Sequence, residues 1–255
     1  MDIAIITGAS SGMGRELVVQ LSQQERFDEI WVIARRAELL ESLKEEVSVP
    51  VRPIPMDLTA KDSLDRYRDL LEFARPNVRF LANCSGYGRF GTYERIPVED
   101  SLNIIDLNVR ALVGITEMTI PYMKEGARIV QWDSLSAFQP VPLLNVYAAS
   151  KSFILSYTRA LRVEMANSGI QVMAVCPYWV DTAFFARANE TDPTAVTQFE
   201  VMYQPADVVA KALKDLERGR KDVSVYGGTA KFQRLMVKLL PHNLVMKIWL
   251  KRQKH

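Results

Sequence analysis

The chain has 255 residues, of which 48% are hydrophobic and 24% charged, a balance typical of one globular domain rather than a disordered or fibrous chain. Its 32 basic and 30 acidic side chains give a formal net charge of +2, which gives little support to nucleic-acid binding. Two cysteines and two histidines, His242 and His255, give poor support to a disulfide framework, a histidine metal site or a Ser-His-Asp hydrolase.

The sequence contains no segment that predicts export or membrane insertion. The N-terminus has no basic region or cleavage-like site, and no apolar run reaches the roughly 18 residues of a membrane span. Cys84 and Cys176 form no Cys-x-x-Cys pattern, which is consistent with a reducing compartment, and we expect both to be buried. We therefore expect a cytoplasmic protein.

Short apolar runs alternate with longer amphipathic stretches, which predicts strand-helix-strand units and a mainly parallel sheet. The predicted strands are Ile3–Ile6, Ile30–Ala34, Val51–Pro55, Val78–Asn83, Arg128–Trp132, Gln171–Cys176 and Val223–Tyr226. The predicted helices lie near Gly12–Gln24, Ala37–Val47, Ala60–Ala74, Val98–Met123, Val146–Asn167 and Pro205–Glu217. Seven strands fit one doubly wound α/β domain over residues 1–228, with an irregular substrate loop at 178–204.

The first predicted strand runs directly into a glycine-rich turn that opens a helical pattern. The turn reads Thr7-Gly8-Ala9-Ser10-Ser11-Gly12-Met13-Gly14. Glycines permit close backbone approach, and the amides at the start of the next helix favour an anionic pyrophosphate. The spacing differs from Gly-x-Gly-x-x-Gly and from a P-loop, and on its own the turn could be an ordinary strand-to-helix connection.

The residues after the second and third strands bear on the choice of nucleotide. The second strand ends in Arg35-Arg36 instead of an acidic residue for a ribose 2′-hydroxyl, and guanidinium groups suit a 2′-phosphate. NADP(H) is therefore the expected cofactor and NAD the less favoured one, unless both arginines are simply solvated at a helix start. Asp57-Leu58 could contact the adenine, although Asp57 could equally organise a turn.

Ser134, Tyr147 and Lys151 form a candidate catalytic group in the middle of the chain. The four-residue spacing puts Tyr147 and Lys151 on one helix face. A phenol ionises near pH 10, and we expect the nearby ammonium and an oxidised nicotinamide to lower that pKa. Ser134 could bind the substrate oxygen, and Asn108 could help to hold Lys151 through a water. A Tyr-x-x-x-Lys pair alone would more often be a surface pair.

These motifs together resemble the classical group of the short-chain dehydrogenase/reductase superfamily over roughly Asp2 to Tyr226. The resemblance rests on the glycine-rich turn, on Asn83-Cys84-Ser85-Gly86, and on the ordered set Asn108, Ser134, Tyr147 and Lys151. It implies a Rossmann-like sheet with strand order 3-2-1-4-5-6-7 and reversible hydride transfer between NAD(P) and an alcohol-carbonyl pair. It also implies a homodimer or homotetramer, often through the long helices near 98–123 and 146–167.

The resemblance assigns a role to each candidate residue. It makes Tyr147 the general acid/base, Lys151 a ligand of the nicotinamide ribose that lowers the tyrosine pKa, Ser134 the group that orients the carbonyl, and Asn108 part of a proton relay. The expected cofactor-binding residues are Thr7, Gly8, Ser10, Ser11, Gly12, Met13, Gly14, Arg35, Arg36, Asp57, Leu58, Asn83, Gly86, Tyr147, Lys151, Pro177, Val180 and Thr182. One departure is Tyr178, which stands where the family often has glycine after a proline, and its bulk could narrow the pocket.

Aromatic residues cluster where this fold carries its substrate loop. The predicted substrate pocket consists of Ser136, Phe138, Tyr178, Trp179, Phe184 and Phe185. An apolar pocket suits a bulky hydrophobic ketone or secondary alcohol, although several of these rings could be ordinary core. No arginine stands out as a clamp for an acidic substrate, although Arg187 could act as one.

The segment 229–255 is basic and amphipathic and is interrupted at Pro241. It could pack on the domain, join a partner subunit, or lie on an anionic membrane with Ile248, Trp249 and Leu250 buried in the lipid. The leading hypothesis is an NADP(H)-dependent oxidoreductase. The alternatives are a catalytically silent NADP-binding regulatory or scaffold protein and a membrane-surface protein that acts through this tail.

Overall fold

A computed structural model describes residues 1–253, so residues 254 and 255 of the predicted tail lie outside the described residues. The strands are β1 Asp2–Thr7, β2 Glu29–Ala34, β3 Val51–Pro55, β4 Asn77–Asn83, β5 Arg128–Trp132, β6 Gln171–Val175, β7 Trp179–Val180, β8 Met202–Tyr203 and β9 Val223–Ser224. The α-helices are α1 Gly12–Gln24, α2 Ala37–Glu41, α3 Ser63–Ala74, α4 Val98–Ile105, α5 Leu112–Thr119, α6 Asn145–Glu164, α7 Phe184–Ala188, α8 Pro205–Glu217, α9 Gly228–Leu239 and α10 His242–Arg252.

Seven strands form one parallel sheet in the order β3-β2-β1-β4-β5-β6-β9, which confirms the predicted doubly wound α/β fold and strand order. Successive residues of β1 point to opposite faces, and both faces are buried. Ile3 and Ile5 pack in the core on one face, whereas Ala4 and Ile6 pack in the core on the other. A strand buried on both faces explains the unbroken apolar run in the sequence.

The long helix predicted near 98–123 is not continuous. It consists of α4, a π-helical segment Asp106–Ala111, α5 and a short 3₁₀ turn. π-helical segments inside α-helices are frequent at functional sites, and this one contains Asn108. The last strand is also shorter than predicted, since β9 pairs with β6 only through Val223 and Ser224.

The substrate loop and the tail add small elements beyond the main sheet. β7 and β8 pair with each other in the loop, and α7 lies between them. Pro241 separates α9 from α10, as the sequence predicts. No helix within residues 1–253 has the length and apolar character needed to cross a membrane.

Candidate active site

The glycine-rich turn lies tightly against the loop that follows β4. Gly8 has a φ of +69°, and a Cβ at this position would stand 2.8 Å from the backbone of Cys84. At Gly14 a Cβ would stand 2.4 Å from the carbonyl oxygen of Gly8. Both positions therefore require glycine, because any side chain would push the turn and α1 off the sheet.

A cleft of about 670 Å³ opens beside this turn, at the carboxyl ends of the central strands. It brings together fourteen of the predicted cofactor residues, namely Gly8, Ser10, Ser11, Gly12, Met13, Gly14, Arg35, Arg36, Asp57, Leu58, Gly86, Tyr147, Lys151 and Thr182. Pro177 and Val180 line an adjoining cavity instead. The crevice at the carboxyl ends of the strands is where doubly wound folds bind ligands.

Two predicted cofactor residues, Thr7 and Asn83, lie beneath the cleft and support its floor. The Thr7 hydroxyl accepts hydrogen bonds from the backbone amides of Cys84 (3.1 Å) and Ser85 (3.2 Å). The Asn83 amide donates to Thr116 Oγ1 and to the side-chain oxygen of Gln131, both at 3.0 Å. These contacts join β1 to the loop after β4, and β4 to β5 and α5, and neither Thr7 nor Asn83 lines the cleft.

One end of the cleft is strongly basic. Arg36 donates to the hydroxyls of Ser10 (3.0 Å) and Ser11 (2.9 Å), and Arg35 is exposed beside it. Arg187 also lines this cleft, with its guanidinium carbon 3.3 Å from the ring centroid of Tyr87. Arg187 is therefore in the nucleotide cleft, and the sequence-based suggestion that it clamps an acidic substrate is not supported by its place.

Asp57 lines the cleft and also organises a turn. Its carboxylate accepts hydrogen bonds from the backbone amide of Thr59 at 2.9 Å and from the Thr59 hydroxyl at 2.8 Å. Both sequence-based interpretations of Asp57 are therefore compatible with its position.

Tyr147 and Lys151 lie on one face of α6 and both point into the cleft. The ammonium of Lys151 donates to the carbonyl oxygen of Trp132 at 2.7 Å and lies 5.6 Å from the ring centroid of Tyr147. The Ser134 hydroxyl accepts a hydrogen bond from the amide of Ser136 at 3.1 Å. Tyr147 lines both the cleft and the adjoining cavity, whose wall includes Ser134.

Asn108 is fully buried in the π-helical segment and connects the loop after β4 to α6. Its amide nitrogen donates to the Tyr87 carbonyl and the Ser150 hydroxyl, both at 3.0 Å, and its oxygen accepts from the Tyr87 amide at 3.1 Å. A Cβ at Gly86 would stand 3.1 Å from Asn108 Oδ1 and 3.5 Å from Lys151 Nζ. Asn108 thus lies beside Lys151, but its direct contacts are with the loop and with Ser150.

Among the protein's own groups, burial has the largest effect on the pKa of Tyr147. Burial raises the pKa of the Tyr147 hydroxyl above its ordinary value, hydrogen bonding with Ser134 opposes the rise, and the charge of Asp133 adds to it. The lowering of this pKa by Lys151 and an oxidised nicotinamide concerns the site with cofactor bound and stays a prediction. Burial also lowers the pKa of Lys151, and the neighbouring carboxyl of Asp133 opposes that shift.

Sequence reasoning missed two residues of the site, Gly88 and Asp133. A Cβ at Gly88 would stand 2.9 Å from the ring of Tyr147, so only glycine leaves room for the phenol there. Asp133 directly precedes Ser134, is 3% exposed and lines both the cleft and the cavity. The available signals were a further glycine after Gly86 and a carboxyl at the end of a buried strand.

The adjoining cavity has a volume of about 260 Å³ and an aromatic wall. Five of the six predicted pocket residues line it, namely Ser136, Tyr178, Trp179, Phe184 and Phe185. Phe138 does not, because its ring packs between the guanidinium groups of Arg159 (5.8 Å) and Arg234 (4.9 Å). Phe138 is therefore a correction to the predicted pocket.

The tail closes this cavity. The Trp249 indole donates to the Pro142 carbonyl at 2.9 Å, and its ring lies 6.4 Å from that of Trp179. The side-chain oxygen of Gln253 accepts from the amides of Thr197 (3.0 Å) and Gln198 (3.1 Å). Trp249 therefore packs on the domain, which is one of the three possibilities that the sequence left open for the tail.

A match to a family model identifies the family of this chain. Residues 2–193 match the family model described as short chain dehydrogenase. The chain belongs to the short-chain dehydrogenase family. An oxidoreductase of Myxococcus xanthus, uncharacterised, is 31% identical over 94% of this chain and 93% of its own length. Sulfoacetaldehyde reductase 2 of Chromohalobacter salexigens is 33% identical over 72% of this chain and 74% of its own.

A solved short-chain dehydrogenase from Sphingobium yanoikuyae, in complex with NADPH, has the same fold. It superposes with a TM-score of 0.78 at 26% identity and covers 94% of both chains. The 255-residue chain described here is thus an oxidoreductase of the short-chain dehydrogenase family with a Rossmann-like, nucleotide-binding domain.

The cleft of this short-chain dehydrogenase fits a nicotinamide dinucleotide. Glycines at 8 and 14 keep the turn free of side chains that would displace α1, and the hydroxyls of Ser10 and Ser11 lie next to basic groups. Gly86 leaves open the path to Lys151, because a Cβ there would stand 3.5 Å from the ammonium. The residues that line the cleft can therefore bind phosphates at its basic end and a ribose at its other end.

Proposed function

We propose that this protein is an NADP(H)-dependent reductase that interconverts a hydrophobic ketone and its secondary alcohol, with Tyr147 as general acid/base. The observation that carries the proposal is the place of Tyr147, which lines both the basic cleft and the aromatic cavity. A carbonyl in the cavity would reach the phenol and Ser134 from one side while the cleft holds the dinucleotide on the other.

The protein's own groups prepare the reduction. The Tyr147 hydroxyl keeps its proton near neutral pH, because burial raises its pKa, and it can donate that proton to the substrate oxygen during carbonyl reduction. The Ser134 oxygen accepts from the Ser136 amide, and its single hydrogen can be donated either to Tyr147 or to the oxygen of a bound substrate. When bound, the dinucleotide supplies the hydride to the carbonyl carbon.

Lys151 and Asn108 position these groups. Lys151 uses one ammonium hydrogen on the Trp132 carbonyl, which leaves two for the hydroxyls of a ribose. Asn108 fixes the Tyr87 backbone and Ser150, so it holds the loop after β4 against α6. Through that contact it keeps Gly86 and Gly88 beside Lys151 and Tyr147.

The preference for NADP(H) over NAD(H) is supported by the basic end of the cleft. Arg35 is exposed there, and Arg36 is oriented by two serine hydroxyls. A planar guanidinium forms paired, charge-assisted hydrogen bonds with phosphate, whereas a ribose hydroxyl would gain little from it.

The aromatic cavity favours a hydrophobic substrate over a small anion such as sulfoacetaldehyde. Trp179, Phe184, Phe185 and Trp249 form its apolar wall. Arg252 lies at its edge, but this guanidinium is 2.7 Å from the carboxylate of Glu200 and is therefore already paired. The lining also includes Ser134, Ser136 and Gln139, which can orient polar groups of a substrate.

Exposed apolar side chains support a proposed assembly of several copies of this chain. Val98, Leu102 and Ile105 are exposed on α4, and Phe153 is exposed on α6. These are the helices through which the family resemblance implies a homodimer or homotetramer, and light scattering of a Leu102→Glu variant should report the loss of that assembly.

We also propose a cytoplasmic location for the protein. Both cysteines are free, which supports a reducing compartment.

The test is a cofactor-oxidation assay with NADPH and NADH against a steroid ketone, acetophenone, acetone and sulfoacetaldehyde. We expect the highest kcat/KM with NADPH and a bulky ketone. NADPH binding without turnover on every carbonyl would instead support the catalytically silent alternative. Faster turnover of sulfoacetaldehyde than of the bulky ketones would contradict the proposed substrate class.

A further inference from the structure

The two tail helices carry large apolar side chains on their solvent side. On α9, Phe232, Leu235 and Leu239 are 64%, 54% and 67% exposed. Their spacing of three and four residues puts them on one face of the helix. Ala230 and Val237 of the same helix are buried, so the exposed residues are not the side that packs on the domain.

The second tail helix repeats this arrangement. Leu244 and Ile248 of α10 are exposed and lie one turn apart. Val245 is buried and Trp249 lines the substrate cavity, so α10 also has one face on the domain and another toward solvent. We call the exposed residues Phe232, Leu235, Leu239, Leu244 and Ile248 the tail apolar face.

Positive charge accompanies this face. Lys231, Lys238, Lys247 and Lys251 are exposed on the same two helices. The sequence from 223 to 255 contains no Asp or Glu, and within the described residues none of these four lysines has a carboxylate within 4.0 Å. The surface is thus apolar and cationic at once, which is the composition of helices that lie in a lipid interface.

We propose that the tail apolar face docks on an anionic lipid bilayer, with α9 and α10 lying along its surface. The apolar side chains would enter the headgroup boundary and the four lysines would contact the lipid phosphates. A second copy of this chain fits the face poorly, because a two-fold interface would bring lysines against lysines with no acidic residue of the tail to pair with them.

Docking would have a consequence for the reaction, which rests on the proposed function. The face of α10 opposite the lipid closes the substrate cavity through Trp249. The cavity would then lie close to the bilayer in which a hydrophobic ketone dissolves. The docking itself does not depend on that activity and can be measured without it.

The experiment is sedimentation of the full chain with sucrose-loaded vesicles of phosphatidylcholine alone or with about one third phosphatidylglycerol. We expect binding to the anionic vesicles that weakens as salt is raised and is small on neutral vesicles. Lys231→Gln with Lys238→Gln should lower the partition coefficient about twenty-fivefold, because each lysine near such a surface contributes roughly a factor of five. Phe232→Glu with Leu239→Glu should lower it at least as much.

Matched controls use exposed residues outside the tail. Phe73→Glu on α3 and Lys214→Gln on α8 each make one substitution of the same kind on another surface and should leave partitioning unaltered. Absence of binding to anionic vesicles, or binding that the tail variants leave intact, overturns the proposal. So does a dimer in light scattering that Phe232→Glu converts to a monomer, since the face would then be a subunit interface.

Discussion

The ring of Tyr147 lies directly against the backbone of Gly88. A Cβ built on Gly88 would stand 2.9 Å from both Cγ and Cδ2 of the ring, closer than real Cβ contacts permit. The ring carries the proposed acid/base, and Gly88 belongs to the loop that Asn108 fixes through Tyr87. The position of the phenol therefore depends on the absence of one methyl group.

Gly88→Ala should displace the Tyr147 ring and reduce kcat by at least about tenfold, because small errors in reacting geometry are costly. Cofactor binding should change little, since Gly88 is not among the residues that line the cleft. Steady-state kinetics with NADPH titration separate the two effects. Gly228→Ala is the matched control, because a Cβ there meets nothing within 4 Å. Unchanged kcat in Gly88→Ala would show that the ring position is not critical.

Tyr147→Phe should lower kcat by about a thousandfold, because it removes the proton donor and keeps the ring. The dissociation constant of NADPH, measured by fluorescence, should stay within a few-fold of the wild-type value. Tyr178→Phe makes the same change on another tyrosine of the cavity wall and should retain most activity. If the Tyr147 variant remained active, the general acid would be another group.

Arg35→Ser should raise the KM for NADPH at least about tenfold, the range expected for losing a charge-assisted phosphate contact. The KM for NADH should not rise, since NADH has no 2′-phosphate. Arg36→Ser should weaken both cofactors, because Arg36 also donates to Ser10 and Ser11 in the turn. Arg66→Ser, on the exposed side of α3, is the control. Equal losses for both cofactors in Arg35→Ser would contradict the assignment.

Local spacing was enough to predict most of the candidate site. Tyr147 and Lys151 share a face because they are four residues apart on α6, and the glycine-rich turn follows a strand in the expected context. The strand order was implied by the family resemblance, and the sheet has that order. Spacing in the sequence predicts the strands themselves, because both faces of the central strands are buried and their residues are apolar throughout.

What could not be predicted depends on burial and long-range packing. The pKa of Tyr147 rises because its side chain is buried. The extent of that burial cannot be read from the sequence spacing between Tyr147 and Lys151. Phe138 leaves the pocket because Arg159 and Arg234, from two other helices, enclose its ring. Trp249 enters the cavity because α10 folds back onto Pro142, more than a hundred residues earlier in the chain.

Trp249→Ala should raise the KM for bulky ketones about tenfold, because it removes a ring from the apolar wall of the cavity. The KM for acetone and the affinity for NADPH should change little. Trp249→Phe keeps an aromatic ring and loses only the hydrogen bond to the Pro142 carbonyl, so its effect should be smaller. A KM that is unaltered in Trp249→Ala would mean that the tail does not contribute to substrate binding.

Asp133 should make the stability of the protein fall as pH rises from about 4 to about 7. Burial raises the pKa of this carboxyl to about 7, and the attraction of Lys151 opposes the shift. The folded protein thus keeps a proton that the unfolded chain releases, so the unfolding free energy decreases as pH rises through this window. Asp133→Asn cannot ionise and should lack this fall, which urea denaturation at several pH values can measure.

The difference in unfolding free energy between Asp133→Asn and wild type should therefore grow from pH 4 to 7 and then level off. Lys151→Met should extend the fall in stability to higher pH, because without the ammonium the pKa of Asp133 rises further. Asp181→Asn replaces an exposed aspartate and serves as the control for the substitution itself. A difference that is constant with pH would show that Asp133 does not titrate in the folded protein within this range.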